Sequence, residues 1–503
     1  VLFGIAFLAL FFLGLVLSGL LAQRTDRFHR LDIQESAEMA AQTLPLEDIR
    51  SLMGGDKDLD NPVYARLKAQ FQMFQKAQPG CRFVYLLGRR PDGQLFIFLD
   101  GEPPDSPDYS PPGQAYNEAA PGYHEVFKRW TPEVIGPATD RWGTWVTALI
   151  PVNAGREDGV PVVLGVDYDA RAWQWNIFRE AVMPVVIFTL LTAGFLLGSA
   201  LLFNYRRKMS VRAPAWMDYL EAGIVSGCGL LLTGLSAWLA HQAEYRNRQQ
   251  VLHHWASMRM VTLAKALDNM VHLELEGLGR FFEGSESVTW QEFQLYADYL
   301  TRNQAVQAWG WMPAVNAVRK LSFEQAMRGE GLADFEIWEK DGLGNRVPAA
   351  GREVFYPVTF LAPVEGNQAA LGFDGGSHPG WRRALEAAAR SGLTTATEPL
   401  PLVADITGQM GMIFYRPVFS DSPSGHLSGF AFAALRLQDF LLHVLSDRLV
   451  PIEWSVLGET NAAPLLTIST VKGEKEEGCL RYGGLVLAAG QVFRVVAYGG
   501  NAF

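Results

Sequence analysis

Three stretches of the chain carry almost no polar positions: residues 1–22, 181–203 and 222–240. Each approaches the roughly 20 apolar residues that a helix needs to cross a hydrocarbon core about 30 Å thick, so three membrane helices are expected. A buried core helix is the competing reading of any one block, and a cleaved signal peptide also competes for the first. Leu20 and Ala22, however, make a poor small-x-small cleavage site. Residues 204–221 hold Arg206, Arg207, Lys208 and Arg212, and short basic loops stay in the cytoplasm. Segments 23–180 and 241–503 are therefore expected on the other side of a bacterial inner membrane, in the periplasm or outside the cell. Arg24, Arg27 and Arg30 point the opposite way, but long translocated domains largely ignore the charge rule.

The period changes within segment 23–180. Asp26 to Leu44 continues the first helix outward, and Val63 to Ala77 reads as a second helix with Val63, Leu67, Phe71 and Phe74 on one face. Arg82 to Leu87, Leu95 to Leu99, Thr144 to Pro151 and Val160 to Asp167 are β-branched or aromatic runs bounded by Pro, Gly and Asp, and read as strands. Helices followed by an antiparallel sheet give an α+β layout. Segment 241–503 opens on a proline-free run from Gln242 to Glu283, in which Val251, Trp255, Met258, Thr262, Ala266, Met270, Leu273, Gly277 and Phe281 follow the spacing of one helical face. As a helix, these about 40 residues make a stalk of roughly 60 Å. Such a stalk suits homodimerisation and the transmission of motion; packing along its own domain is the other explanation.

Composition narrows the class. The 503 residues leave room for two or three domains, and 49% of them are apolar beside 19% charged, which the three apolar blocks explain. A net charge of −10 without a basic stripe gives no case for a nucleic-acid partner. Cys228 falls in the third apolar block, while Cys81 and Cys479 fall in different outer segments, so no intradomain disulfide is expected. Asp56, Asp58 and Asp60 suggest a calcium loop, but Asn61 and Leu67 stand where Gly and Glu are required. The adjacent His253 and His254 point in different directions, so no metal is expected. No G-x-S-x-G elbow, H-E-x-x-H, phosphate-cradling loop or kinase nucleotide set is present, so neither a catalytic residue nor a cofactor is expected here. The chain has no initiator Met and stops at Phe503 within strand-like sequence, and is read as a piece of a longer protein.

Four stretches in segment 23–180 resemble the extracytoplasmic PAS-like sensors called Cache domains: Arg82 to Asp100, Tyr109 to Tyr116, Asp140 to Val152 and Val163 to Ala170. The resemblance implies a small-molecule pocket on the concave face of a five-stranded sheet. Tyr85, Asp100, Tyr116, Asp140, Trp142 and Trp145 are the candidates to line it, as aromatic walls with a few polar anchors. The alternative is that Trp142 and Trp145 are core and Asp100 caps a turn.

From Val306 onward the chain resembles a CHASE domain, an extracellular sensor first associated with cytokinin receptors. The stretches that carry the likeness are Ala308 to Val315, Leu321 to Met327, Phe355 to Pro379, Trp381 to Gly392, Thr394 to Leu402 and Met412 to Phe419. They include a YPV, a G-x-D at Gly372 and Asp374, and a P-V-F. The resemblance implies two PAS-like units on the long helix, a ligand-binding membrane-distal unit over about 290–445 and a proximal unit from about 450. Thr397, Leu402, Val403, Phe414 and Tyr415 match positions that bound the family's pocket. Plant receptors carry an acidic side chain early in the helix after the G-x-D turn, where this chain has Trp381, a further candidate ligand residue, followed by Arg382 and Arg383; a cytokinin ligand is not expected. Arg416 either meets an anionic ligand or is a surface arginine. The whole is read as the membrane-anchored, small-molecule-sensing input of a sensor histidine kinase. A diguanylate cyclase, or a receptor-like binding protein without output enzyme, is the alternative.

Overall fold

The computed structural model describes residues 2–152, 160–208, 216–403, 409–420, 425–445, 452–457, 464–469, 480–488 and 490–499, with many side chains in the three apolar blocks outside that description. The first half contains helices α1 (Leu2–Thr43), α2 (Leu46–Arg50) and α3 (Pro62–Ala77), strands β1 (Cys81–Arg89) and β2 (Leu95–Asp100), helix α4 (Pro121–Arg129), strands β3 (Glu133–Thr139), β4 (Thr144–Val152) and β5 (Val162–Asp169), and helix α5 (Ala170–Lys208). Helix α6 (Trp216–Asn269) runs through a π-helical turn, Met270–Leu275, into α7 (Glu276–Glu283), and α8 (Trp290–Ala297) follows. Next come β6 (Ala308–Pro313), β7 (Val315–Asn316), α9 (Lys320–Gly329), β8 (Trp338–Lys340), β9 (Arg346–Pro348), β10 (Val354–Phe355) and β11 (Phe360–Ala362). They are followed by α10 (Pro379–Ser391), β12 (Thr395–Ala396), β13 (Leu400–Pro401), β14 (Met410–Phe419), β15 (Leu427–Arg436), α11 (Leu437–Val444), β16 (Ile452–Leu457), β17 (Pro464–Ser469), β18 (Leu480–Ala488) and β19 (Gln491–Gly499).

The chain divides into two compact units. One comprises Val1–Ala37, Glu118–Ile150 and Val166–Val251, the other Glu38–Asn117, Pro151–Gly165 and Leu252–Phe503. Strands β1 and β2 pair antiparallel, and so do β3 and β4. In the second unit a six-stranded antiparallel sheet runs β11–β6–β15–β14–β12, with β13 also on β14, and a four-stranded sheet runs β17–β16–β19–β18. The α+β class with antiparallel sheets is as expected.

Membrane crossing is not supported here: among the described residues no helix is long and apolar enough to cross a membrane. Residues 2–22, 181–203 and 222–240 of the apolar blocks lie within α1, α5 and α6, and residues 209–215 of the expected basic loop lie outside the described residues.

The stalk face needs correction. Its helix is continuous through residue 283, but the buried stripe is Leu252, Ala256, Met260, Leu263, Ala264, Leu267, Met270, Val271, Leu275, Leu278 and Phe282. Of the expected stripe, Val251, Met258 and Leu273 are 51%, 61% and 66% exposed. Two apolar stripes lie side by side on this helix, and helical periodicity cannot choose between neighbours about 100° apart. The small Ala256 and Ala264 mark the stripe that packs closely. The run Tyr356 to Phe360, which holds the YPV, reads from sequence as one strand, and here too the structure differs. The chain is extended on either side, in β10 and β11, but Pro357 has no N–H for a ladder and makes only an isolated bridge to Asp374.

Elsewhere local chemistry fixes the ends. Asn61 caps α3, its Oδ1 accepting from the N–H of Val63 at 2.9 Å, and Pro62 takes the first helical position. Helix α10 likewise begins on Pro379 and stops at Gly392, whose φ of 71° suits a residue without a Cβ.

Candidate functional site

The two faces of the six-stranded sheet bury different partners. Alternation along β6, β14 and β15 puts Met312, Ile413, Tyr415, Phe430 and Phe432 on one face, beneath Trp381, Leu385 and Ala388 of α10. Trp309, Trp311, Met412, Phe414, Ala431 and Ala433 point the other way, against the long helix and α8. Of the expected ligand residues, Trp381, Leu402, Val403 and Tyr415 therefore share the α10 face. Phe414 belongs to the opposite core. Thr397 is buried at the sheet edge, bonded to β14 both ways: its N–H donates to the Ile413 carbonyl at 2.9 Å, and its Oγ1 accepts from the Ile413 N–H at 3.1 Å.

On the α10 face the rings of Trp381, Phe430 and Phe432 lie 6.5, 6.1 and 6.5 Å from that of Tyr415. The Tyr415 hydroxyl is fully buried and finds no hydrogen-bond partner among the described residues. Burial pushes its phenol well above its ordinary pKa, so it is a neutral donor and acceptor in an aromatic setting. One polar anchor among apolar walls is the usual construction of a small-ligand site.

Arg416, the next residue, faces the long helix and is only 10% exposed. Its Nε and Nη2 donate to the two carboxylate oxygens of Glu276 at 2.6 and 3.0 Å, and its Nη1 and Nη2 donate to Glu283 at 2.8 and 3.2 Å. The guanidinium lies over Gly279, where a Cβ would collide with it. Burial works against charge on both partners, yet the ion pairs outweigh it, holding Glu276 below and Arg416 above their ordinary pKa values. Arg416 is thus neither an open surface residue nor on the α10 face. The two glutamates, seven residues apart with glycine between, are a signal that the sequence reading missed.

The G-x-D turn is a buried polar knot. Asp374 accepts N–H groups from Tyr356 at 2.8 Å and Gly376 at 3.1 Å and pairs with Nε of Arg352 at 2.9 Å; Arg352 in turn pairs with Glu339. Gly372 has φ of 78°, and a Cβ there would strike the Glu336 carbonyl.

In the N-terminal part of the second unit, Tyr85 and Asp100 stand opposite each other on β1 and β2. The Tyr85 ring lies against Gly165, and Tyr116 is buried with its N–H donating to Leu95 at 2.9 Å. Asp100 does cap a turn: its two oxygens accept the N–H groups of Glu102 at 3.0 Å and Ser110 at 2.7 Å. Lys68, also buried, donates to the Asp100 carbonyl at 2.9 Å and sits 4.2 Å over the Tyr109 ring. In the first unit one oxygen of Asp140 accepts from the N–H groups of Trp142 and Gly143 and from Nε1 of Trp145, at 2.9 to 3.0 Å, which joins three expected residues in one turn. A buried chain there was not foreseen: Tyr123 donates to Thr147 at 3.2 Å, and Thr147 donates to Asp167 at 2.6 Å.

Asp100 gives a pH prediction. Burial raises its carboxyl to about 6 from the ordinary 3.8, against its two N–H donors and Lys68. The folded chain therefore holds a proton that the unfolded chain has lost. Stability from this group is fully present below about pH 4 and disappears as pH rises through about 6, a loss on the order of 3 kcal/mol. Urea unfolding of the full chain at a series of pH values is expected to show this decline. Asp100→Asn should flatten it, and an unchanged slope in that variant would rule the assignment out.

Residues 286–466 match the CHASE domain. No curated protein matches the chain. Among solved structures, the ligand-binding domain of the Pseudomonas aeruginosa amino-acid chemoreceptor PctC in complex with GABA is 14% identical, with 50% of this chain and 99% of that one covered and a TM-score of 0.32. The corresponding domain of P. aeruginosa PctB in complex with L-Arg is 12% identical, with 50% and 95% covered and a TM-score of 0.29. A methyl-accepting chemotaxis protein is 12% identical, with 52% and 98% covered and a TM-score of 0.27.

Proposed function

We propose, on the premise that residues 286–466 are a CHASE domain, that this chain is the sensory input of a transmembrane signal transducer and binds a small molecule against the α10 face of the six-stranded sheet. The observation that carries the reading is the buried Tyr415 hydroxyl without a partner among the described residues. Leaving a buried hydroxyl unsatisfied costs about 1–3 kcal/mol, a cost that a ligand with a matching polar group removes. Trp381, Leu402 and Val403 would supply its apolar walls. Tyr415 and Arg416 are adjacent on one strand and face opposite ways, so a ligand displacing β14 acts directly on the clasp to α7.

The rest of the reading comes from sequence order. The Cache-like segment 23–180 is a second sensor, with Tyr85, Asp100, Tyr116, Asp140, Trp142 and Trp145 as its candidate residues. The apolar blocks 1–22, 181–203 and 222–240 anchor the chain in a bacterial inner membrane with both sensors extracytoplasmic. The exposed stripe of Val251, Met258 and Leu273 pairs with a second copy. The output is a histidine kinase; a phosphoacceptor H-E-x-x-N helix encoded downstream would support it, and a GG[DE]EF loop would replace it with a cyclase.

Tyr415→Phe tests the site. Without ligand the variant should be as stable as the parent or up to about 1 kcal/mol more stable, because an unsatisfied hydroxyl is gone. A thermal-shift screen of the full chain against organic acids, amino acids and purines should find a compound that stabilises the parent and loses its effect in the variant. A compound that shifts both equally, or a variant destabilised without ligand, counts against Tyr415 as the anchor.

A further inference from the structure

Helix α3 serves two sets of strands at once. It packs on the hairpin β1–β2 and also on β19 of the four-stranded sheet. Arg66 and Gln70 each stand two positions from Lys68, about 200° around the helix, so they face away from it. On the Lys68 side the fit to the hairpin is close. Nζ of Lys68 donates to the Asp100 carbonyl at 2.9 Å and sits 4.2 Å over the Tyr109 ring. Just beyond Asp100, a Cβ on Gly101 would lie 3.2 Å from that of Phe71 on α3 and 2.8 Å from the Val84 carbonyl. Helix and hairpin have no slack between them.

The opposite side grips the other sheet. Nη1 of Arg66 donates to the Thr394 carbonyl at 3.1 Å while Nη2 pairs with Asp48, and its stem lies 3.3 Å from where Gly490, between β18 and β19, would carry a Cβ. The buried Gln70 donates to the carbonyl of Gln491, the first residue of β19, at 3.4 Å. The end of α1 adds to this hold on β18. Oγ1 of Thr43 accepts from the N–H of Leu487 at 3.3 Å, and Met39 and Met260 close on Gly484, where a Cβ would lie 2.9 and 2.7 Å from them. Close-packed interiors compress little and pass strain on. A helix gripped on both sides therefore cannot shift against one set of strands without pulling on the other.

We propose that α3 couples the Cache-like hairpin to segment 241–503: an event at the Lys68–Asp100 contact changes the stability of the β18–β19 hairpin, and the hairpin acts back on that contact. Two inputs then report jointly rather than in parallel. Linkage makes such coupling reciprocal, and its ordinary size is roughly 5- to 150-fold in an equilibrium constant. The use of the coupling rests on the sensing function proposed above, but the coupling itself stands on packing and can be measured without a ligand or an output.

Hydrogen exchange of the full chain tests it in two backgrounds. Lys68→Met keeps a buried stem and removes the ammonium. In the parent it should quicken exchange of the β18–β19 amides, that of Leu487 among them, at least about fivefold. In an Arg66→Ala, Gln70→Ala background α3 has lost its bonds to Thr394 and Gln491. There Lys68→Met should change the β18–β19 amides by less than about twofold while still quickening those of β1 and β2. Equal quickening of β18–β19 in both backgrounds would be general destabilisation, and that result, or no quickening in the parent, would overturn the coupling. Tyr109→Leu, which only takes the ring from under the ammonium, carries the same comparison if Lys68→Met does not fold. A ligand screen that fails while the two backgrounds differ would remove the sensing function and leave the coupling.

Discussion

Asp374→Ala is expected to lower the stability of the full chain by about 3–5 kcal/mol, among the largest effects of any single substitution. The carboxylate is wholly buried, and its removal leaves the N–H groups of Tyr356 and Gly376 without their acceptor and takes from Arg352 one of its two acidic partners. Each orphaned buried donor costs about 1–3 kcal/mol. Burial raises the Asp374 carboxyl despite these contacts, which makes Asp374→Asn the informative companion. The amide keeps one acceptor oxygen and the shape, and should recover part of the loss. Urea unfolding with tryptophan fluorescence measures both. A loss below about 1 kcal/mol for the alanine variant would mean that the turn is held by the backbone alone.

Arg416→Ala should cost about 2–3 kcal/mol, less than a wholly buried pair because Glu276 and Glu283 are each about one-third exposed. Arg416→Lys keeps the charge but cannot fork across two carboxylates, and should fall between the two. A double-mutant cycle with Glu276→Gln isolates the pair; a coupling energy near zero would show that Arg416 contributes only packing against Gly279. If β14 relays ligand binding to the long helix, Arg416→Ala should also retain the ligand-induced thermal shift while losing the response of the downstream output. Loss of the ligand shift itself would place Arg416 in the binding site instead.

These two residues mark how far the sequence could be read. Asp374 was legible as the end of a G-x-D turn, because Gly372 requires a conformation that other residues resist. The side chains that Asp374 would hold were not, since Arg352 and Tyr356 are brought to it by tertiary folding. The sequence leaves Arg416 between a ligand contact and a surface arginine. Its partners lie 140 and 133 residues away, and no local pattern encodes a pairing at that distance.

Local signals determined the element types: the periods, the proline starts of α3 and α10, the glycine stop at Gly392 and the order of motifs that match the CHASE domain over residues 286–466. Only the tertiary structure decided which face met which partner. On the long helix two apolar stripes satisfy the same period, and the choice between them comes from the sheet that packs there. Burial energy depends on what covers a side chain, and that is a property of the assembled layers.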